Sequence, residues 1–263
     1  MGQTHSVCKK NKIEEDVIEE LNLSYQNLTV LPPLHPGLKR LHCDGNQLTA
    51  LPPLPPTLET LDCNYNKLTA LPPLPSGLKV LICWSNPFTI LPPLPSTLEK
   101  LDCNYNQLTA LPHLPPTLEK LDCWSNQLTE LPPLPSGLKV LNCENNQLIA
   151  LPLLPSGLEG LDCGANQLTT LPPLPSGLKL LVCYGNQLTA LPLLPSGLGI
   201  LHWDFNPLKY KGTTIEEIRK EQEEEKKNIW MANMIVYGKV KQEMGLCKET
   251  KLDWLVKNII SHF

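Results

Sequence analysis

The sequence predicts a repeat solenoid: a stack of short parallel strands forming one face, an extended proline-rich wall forming the other, and helical caps at the ends. Three observations carry this. The chain repeats itself every 20 residues, with Cys43, Cys63, Cys83, Cys103, Cys123, Cys143, Cys163 and Cys183 marking the period and an asparagine, Asn46 to Asn186, three residues after each. All 28 prolines fall between Pro32 and Pro207, a density that no ordinary helix survives. Within each unit a short stretch such as Val80-Leu81-Ile82-Cys83-Trp84 alternates as a strand does, turning Leu81 and Cys83 to one side and Val80, Ile82 and Trp84 to the other.

The elements follow in order along the chain. Residues 1–12 begin Met1-Gly2-Gln3-Thr4-His5-Ser6, which fits the pattern for myristoylation of Gly2, and Cys8 with Lys9, Lys10 and Lys12 supplies a palmitoylation site and a basic cluster. One acyl chain holds a protein to a membrane only marginally, so the pairing of two signals is what makes anchoring expected here. Residues 13–20 place apolar groups at helical spacing and predict a short cap over the first repeat. Residues 21–208 make ten units. The first carries Leu23 and Gln26 where the others have Cys and Asn, and the last carries Trp203, as terminal units of solenoids commonly depart from their consensus.

Inside a unit, the proline-rich half (Leu71-Pro72-Pro73-Leu74-Pro75) is held near polyproline geometry and returns the chain along the outer wall. A Ser-Gly or Pro-Thr pair, Ser76-Gly77 or Pro56-Thr57, turns it into the next strand. A single unit cannot cover its own apolar side, so stacking is obligatory and leucine supplies most of the core; aromatics are only 5% of the chain. The asparagine column has a structural purpose, pairing buried backbone groups of adjacent coils. The cysteines project in parallel, one per coil, and do not converge as zinc ligands must; they are expected to be free core thiols, which implies a reducing compartment.

The string Leu78-x-x-Leu81-x-Cys83-x-x-Asn86-x-Phe88 resembles the leucine-rich repeat, and the 20-residue length with its LPxLP half resembles the short bacterial type found in effectors of enteric pathogens and, as LxCxxN arrays, in giant viruses. The resemblance implies a horseshoe whose strands line the concave face, an asparagine that turns inward, and a place in host–pathogen interaction.

The outward strand columns are the candidate binding surface. Asp62, Asp102, Asp122 and Asp162 occupy the position before the cysteine. Trp84, Trp124 and Tyr184 follow it, and Tyr65 and Tyr105 come one place later. Rigid aromatics beside carboxylates suit a protein partner with exposed basic residues. A net charge of -4 argues against nucleic acid, no phosphate-binding glycine loop or converging metal ligands are present, and no cofactor or small-molecule substrate is expected. His42 and His202 stand at opposite ends and His113 in the proline wall, so no histidine serves a catalytic triad.

Residues 209–263 change character. Thr213-Thr214-Ile215-Glu216 predicts a helix start, with a charged helix running to about Asn228, an apolar run from Ile229 to Tyr237 that packs, and an amphipathic helix over 251–263. Effectors with similar repeats often carry a ubiquitin-ligase domain with a catalytic cysteine. Cys247-Lys248-Glu249 departs from the Cys-x-Asp pattern of those ligases and has no base beside it in the sequence. The expected function is therefore a non-enzymatic protein-interaction module, cytoplasmic and held on the cytosolic face of a membrane through Gly2 and Cys8, without a secretory signal. The rival is a ubiquitin-pathway component, which an autoubiquitination assay with and without Cys247 separates.

Overall fold

The computed structural model describes residues 19–243. Gly2, Cys8, most of the expected N-terminal cap, Cys247 and the helix expected over 251–263 lie outside the described residues. The chain divides into two compact units at Leu208 and Lys209.

The first unit is a single parallel sheet of ten strands in sequence order. They are β1 (Glu20–Asn22), β2 (Arg40–His42), β3 (Thr60–Asp62), β4 (Val80–Ile82), β5 (Lys100–Asp102), β6 (Lys120–Asp122), β7 (Val140–Asn142), β8 (Gly160–Asp162), β9 (Leu180–Val182) and β10 (Ile200–His202). Each strand is displaced from the last by 20 residues in perfect register, so Leu61 pairs with Leu81 and Asp102 with Asp122. This is a leucine-rich-repeat solenoid. Glu20, assigned from sequence to a helical cap, instead opens β1, because its backbone pairs with Arg40 at the sheet edge.

The alternation read from sequence is the one observed. Leu81 and Cys83 have no accessible surface, while Val80, Ile82 and Trp84 are partly exposed. Leu58, Leu61, Cys63 and Leu68 likewise have none, and Leu71 is nearly covered, so each coil sends five apolar groups into one continuous column. The eight cysteines are buried and free, and burial pushes each thiol up, Cys43 and Cys183 to about 12. Such thiols are neutral at any physiological pH and act as small apolar fillers.

The asparagine column accounts for the polar groups this core would otherwise strand. Asn66 Nδ2 donates to the carbonyls of Cys43 (3.0 Å), Cys63 (3.1 Å) and Asn64 (2.9 Å), and its Oδ1 accepts from Leu48 N–H at 3.0 Å. The same pattern recurs through Asn186, and Asn206 closes the array with bonds to Cys183 and Trp203. One further device was not read from sequence. Where the wall ends in threonine, the hydroxyl spans two carbonyls of the preceding coil: Thr57 to Pro36 (2.9 Å) and Leu38 (2.8 Å), and Thr97 and Thr117 in the same way.

The second unit contains α1 (Ile215–Glu243), one helix of 29 residues. Its start is a capping box one residue later than the sequence suggests. Glu217 N–H donates to Thr214 Oγ1 at 3.2 Å and Thr214 N–H to the Glu217 carboxylate at 3.1 Å. The Thr213 amide also reaches Glu217, and these bonds hold its carboxyl below the usual range. The apolar run does not fold away as expected. It continues α1, leaving Ile229, Met231 and Val236 more than half exposed and Trp230 only a little less so.

Candidate interaction face

After each cysteine the chain leaves the strand through two residues that stack coil on coil. Tyr65 N–H donates to Trp84 C=O at 3.0 Å, Ser85 N–H to Asn104 C=O at 3.1 Å and Tyr105 N–H to Trp124 C=O at 3.0 Å. The second of these residues is left-handed in every coil: φ is 51° at Tyr65, 53° at Ser85, 48° at Tyr105, 55° at Ser125 and 49° at Ala165, with glycine only at Gly45 and Gly185. L-residues resist this region, so the stacked backbone bonds and the asparagine rung must hold it. The reversal lifts the side chain out of the wall of the coil, which is how Tyr65 and Tyr105 come to be about half exposed.

Along this edge the rings form two equivalent pairs. Tyr65 meets Trp84 edge to face with centroids 4.9 Å apart and planes at 80°; Tyr105 meets Trp124 at 4.3 Å and 68°. Edge-to-face contact satisfies the ring quadrupoles and holds each pair rigid. The pairs arise from a 40-residue sub-period, Cys-Asn-Tyr-Asn followed by Cys-Trp-Ser-Asn, that occurs twice in succession. That doubling was legible in the sequence and marks Asn64 and Asn104, both buried, as part of the site. Their Nδ2 groups donate to Asp62 and Asp102 at 2.6 and 2.7 Å.

Tyr184 stands apart from these pairs. Its ring lies over Gly164, where an added Cβ would come within 2.5 Å of the ring, and its hydroxyl donates to Glu144 two coils away. That bond is the main reason its phenol is pushed up to about 12.

The acidic column differs from the sequence expectation in charge. Asp62, Asp102, Asp122 and Asp162 are half-buried on one line, and burial raises all four carboxyls, Asp122 and Asp162 to about 6. They also serve locally: Asp162 accepts from Gly164 N–H at 3.0 Å. Asp122 Oδ1 is buried without a hydrogen-bond partner. Lys100 and Lys120, overlooked in the sequence, precede Asp102 and Asp122 by two residues and share their face, so the middle of the column is electrically balanced. No lysine or arginine accompanies Asp62 or Asp162 in its own strand; Thr60 and Gly160 occupy that place. His42 Nδ1 lies 4.0 Å from Asp62. Net negative charge therefore sits toward the two ends of the face.

Outside this face, the residue just before each strand forms a charge ladder. Lys79 and Glu59 pair at 2.8 Å, Lys139 and Glu119 at 2.9 Å, and Lys179 and Glu159 at 2.6 Å, all exposed. Among the described residues no group of three or more His, Cys, Asp or Glu is placed to hold a metal ion, and no helix is long and apolar enough to cross a membrane.

Comparison with known proteins agrees with this architecture. The family model described as leucine rich repeats (2 copies) matches residues 116–156. The structure of YopM, a leucine-rich effector protein from Yersinia pestis, is similar at 39% identity with a TM-score of 0.70, over 72% of this chain and 56% of that one. YopM from Yersinia enterocolitica gives 36% identity and 0.64, over 73% and 47%. A leucine-rich-repeat protein of Leptospira interrogans gives 29% identity and 0.63, over 76% and 58%. The chain spans about half the length of the YopM chains it matches. No curated protein matches the sequence.

Proposed function

The chain is a leucine-rich-repeat solenoid with repeats of the short bacterial-effector type, and we propose that it is a non-enzymatic interaction module that grips a protein partner on the strand face. The observation that carries this is the two edge-to-face ring pairs, Tyr65–Trp84 and Tyr105–Trp124, presented rigidly and in repeat on an open surface. Aromatics of this kind supply contact area at little cost in ordering, and a preformed sheet loses no folding entropy on binding. Asp62 and Asp162, with Glu144 and Tyr184 nearby, address basic groups on the partner at the two ends of the face. Residues 1–12 attach the module to the cytosolic side of a membrane through acyl chains on Gly2 and Cys8.

Cross-linking in a eukaryotic cytosol with the full chain tests the first part. Partners captured by the wild type should be lost from a variant carrying Trp84→Ala and Trp124→Ala whose melting temperature is unchanged; an identical partner set refutes the assignment. For the anchor, Gly2→Ala should move the protein out of the membrane fraction, and an unaltered distribution rejects lipidation.

A further inference from the structure

The two ring pairs are copies of one another, two coils apart, and that spacing restricts what conformation of ligand engages both. Neighbouring strands in a sheet lie about 4.8 Å apart, so equivalent points on the two pairs are separated by roughly 9.6 Å along the stack. A polyproline II helix advances about 3.1 Å per residue with three residues per turn, repeating its face every 9.3 Å or so. A β-strand shows the same face every second residue, at roughly 6.8 and 13.6 Å, and matches neither. An α-helix returns to one face at about 5.4 Å and again near 10.5 Å, a poorer fit. The four rings sit in four successive coils, Tyr65 and Tyr105 in one column and Trp84 and Trp124 in the next, and within each column the coil between two rings holds a small or polar residue, Ser85 or Asn104. Each column thus repeats its ring at the period of one polyproline turn.

The charge pattern supplies a second constraint. Asp62 and Asp162 are five coils apart, roughly 24 Å, which a polyproline II segment covers in about eight residues. Between them Lys100 and Lys120 offset Asp102 and Asp122, so the ends of the face favour cations and its centre does not. Proline rings are flat, apolar and already ordered, and they pack against aromatic ridges in other recognition surfaces for the same physical reason.

We infer that the ring pairs Tyr65–Trp84 and Tyr105–Trp124 form a two-notch receptor for a proline-rich peptide in polyproline II conformation, with prolines three residues apart and a basic residue near each end. This rests on the interaction face proposed above and specifies its ligand. The pairs read one turn each; Asp62 lies in the coil of Tyr65 and Asp162 two coils beyond that of Trp124, so the two basic residues stand at unequal distances from the prolines.

The test uses the full chain and a fluorescent nine-residue synthetic peptide with arginine at each end and Pro-Pro-Leu repeats between, followed by anisotropy. Replacing its prolines by alanine should weaken binding about tenfold or more, and replacing its arginines by glutamate should weaken it by a similar factor. Trp84→Ala and Trp124→Ala should each cost at least about fivefold, and the double variant should abolish saturable binding. Asn86 and Asn126 remain in these variants, and a retained melting temperature certifies the fold. The proposal is overturned if the alanine peptide binds as well, or if the double variant binds as the wild type does. A random-peptide selection separates this failure from failure of the face itself. Helical or other sequences that need both tryptophans overturn the polyproline ligand and leave the interaction face standing, whereas no tryptophan-dependent sequence at all overturns both.

Discussion

Asn126 occupies a middle rung of the asparagine column, and its loss can be worked through bond by bond. Its Nδ2 donates to Cys103 C=O and Cys123 C=O at 3.0 Å each and to Trp124 C=O at 3.3 Å, while Oδ1 accepts from Leu108 N–H at 3.0 Å. Asn126→Ala leaves the Leu108 amide and the Cys103 and Cys123 carbonyls with one bond fewer in a closed interior. The Leu108 amide loses its one partner at about 1–3 kcal/mol, whereas Cys103 C=O keeps Asn106 and Cys123 C=O keeps Asn146, so those two lost bonds add about 0.5–1 kcal/mol each and the sum is about 2–5 kcal/mol. Against a total stability of about 5–15 kcal/mol this is a large share. Asn206 makes the same bonds on the last rung, but it is only half-buried and has one neighbour, so Asn206→Ala should cost less than half as much. Urea unfolding followed by tryptophan fluorescence and circular dichroism measures both. Asn126→Asp adds a pH arm. Its carboxylate accepts but cannot donate to the two carbonyls, so this variant should be weakest at neutral pH and regain stability as acid protonates it. A loss below about 1.5 kcal/mol for Asn126→Ala, or equal losses at both rungs, refutes the view that the column holds the coils together.

Other outcomes follow from the same geometry. Asp122 is raised from its ordinary 3.8 to about 6 by burial first and by the neighbouring Asp102 second. A carboxyl raised on folding is stabilising in its protonated form, so melting temperature should climb as pH falls from 7 toward 4. The shift would amount to about 3 kcal/mol if undiminished, and its open side toward solvent cuts this to about 1 kcal/mol. Asp122→Asn should stabilise the protein at pH 7.5 and flatten that slope; an unchanged slope contradicts the assignment. Ala165→Gly, at a φ of 49°, exchanges left-handed strain for chain entropy and should gain about 0.5 kcal/mol in urea unfolding, where an ordinary helical or strand alanine would lose as much. Gly164→Ala drives a Cβ into the Tyr184 ring and should detach its hydroxyl from Glu144, seen as a phenol titration falling from about 12 toward 10 in ultraviolet absorbance.

A period of 20 made most of the fold legible, because one residue's side fixes that of its counterparts in every coil. Leu81 and Cys83 could be turned inward from alternation alone, and the register of all ten strands came with them. The left-handed column was hidden for the opposite reason: its positions hold Tyr, Ser, Asn, Ala and Phe, and only Gly45 and Gly185 hint at what the backbone does there. The Thr57 hydroxyl could not be read because Pro-Thr and Ser-Gly look alike as turns, though only the first can bridge two carbonyls. At the site, the aromatics stand out in the sequence, but the aspartates alone overstate the charge, because Lys100 and Lys120 lie two residues earlier on the same face. Hydropathy alone marks Ile229 to Tyr237 as a packing segment, yet good helix formers on either side carry α1 straight through it.

The rungs all reach in one direction. Every asparagine answers an amide belonging to the coil before it, Leu48 through Asn66 and Leu188 through Asn206, so no coil completes its own interior. On a ribosome each newly made repeat finishes its predecessor, and the growing end is perpetually one step short. A stop codon placed after any coil strands the buried amide nearest the break, whereas trimming whole coils from the start leaves every amide of this column answered and frees only edge amides such as Glu59 and Gln47, which donate back to Lys39 and Leu28. Shortened versions should accordingly open a buried orphan at the back and only solvent-edge amides at the front, and an array extended by whole repeats toward its C-terminus should firm up the coil that used to be last.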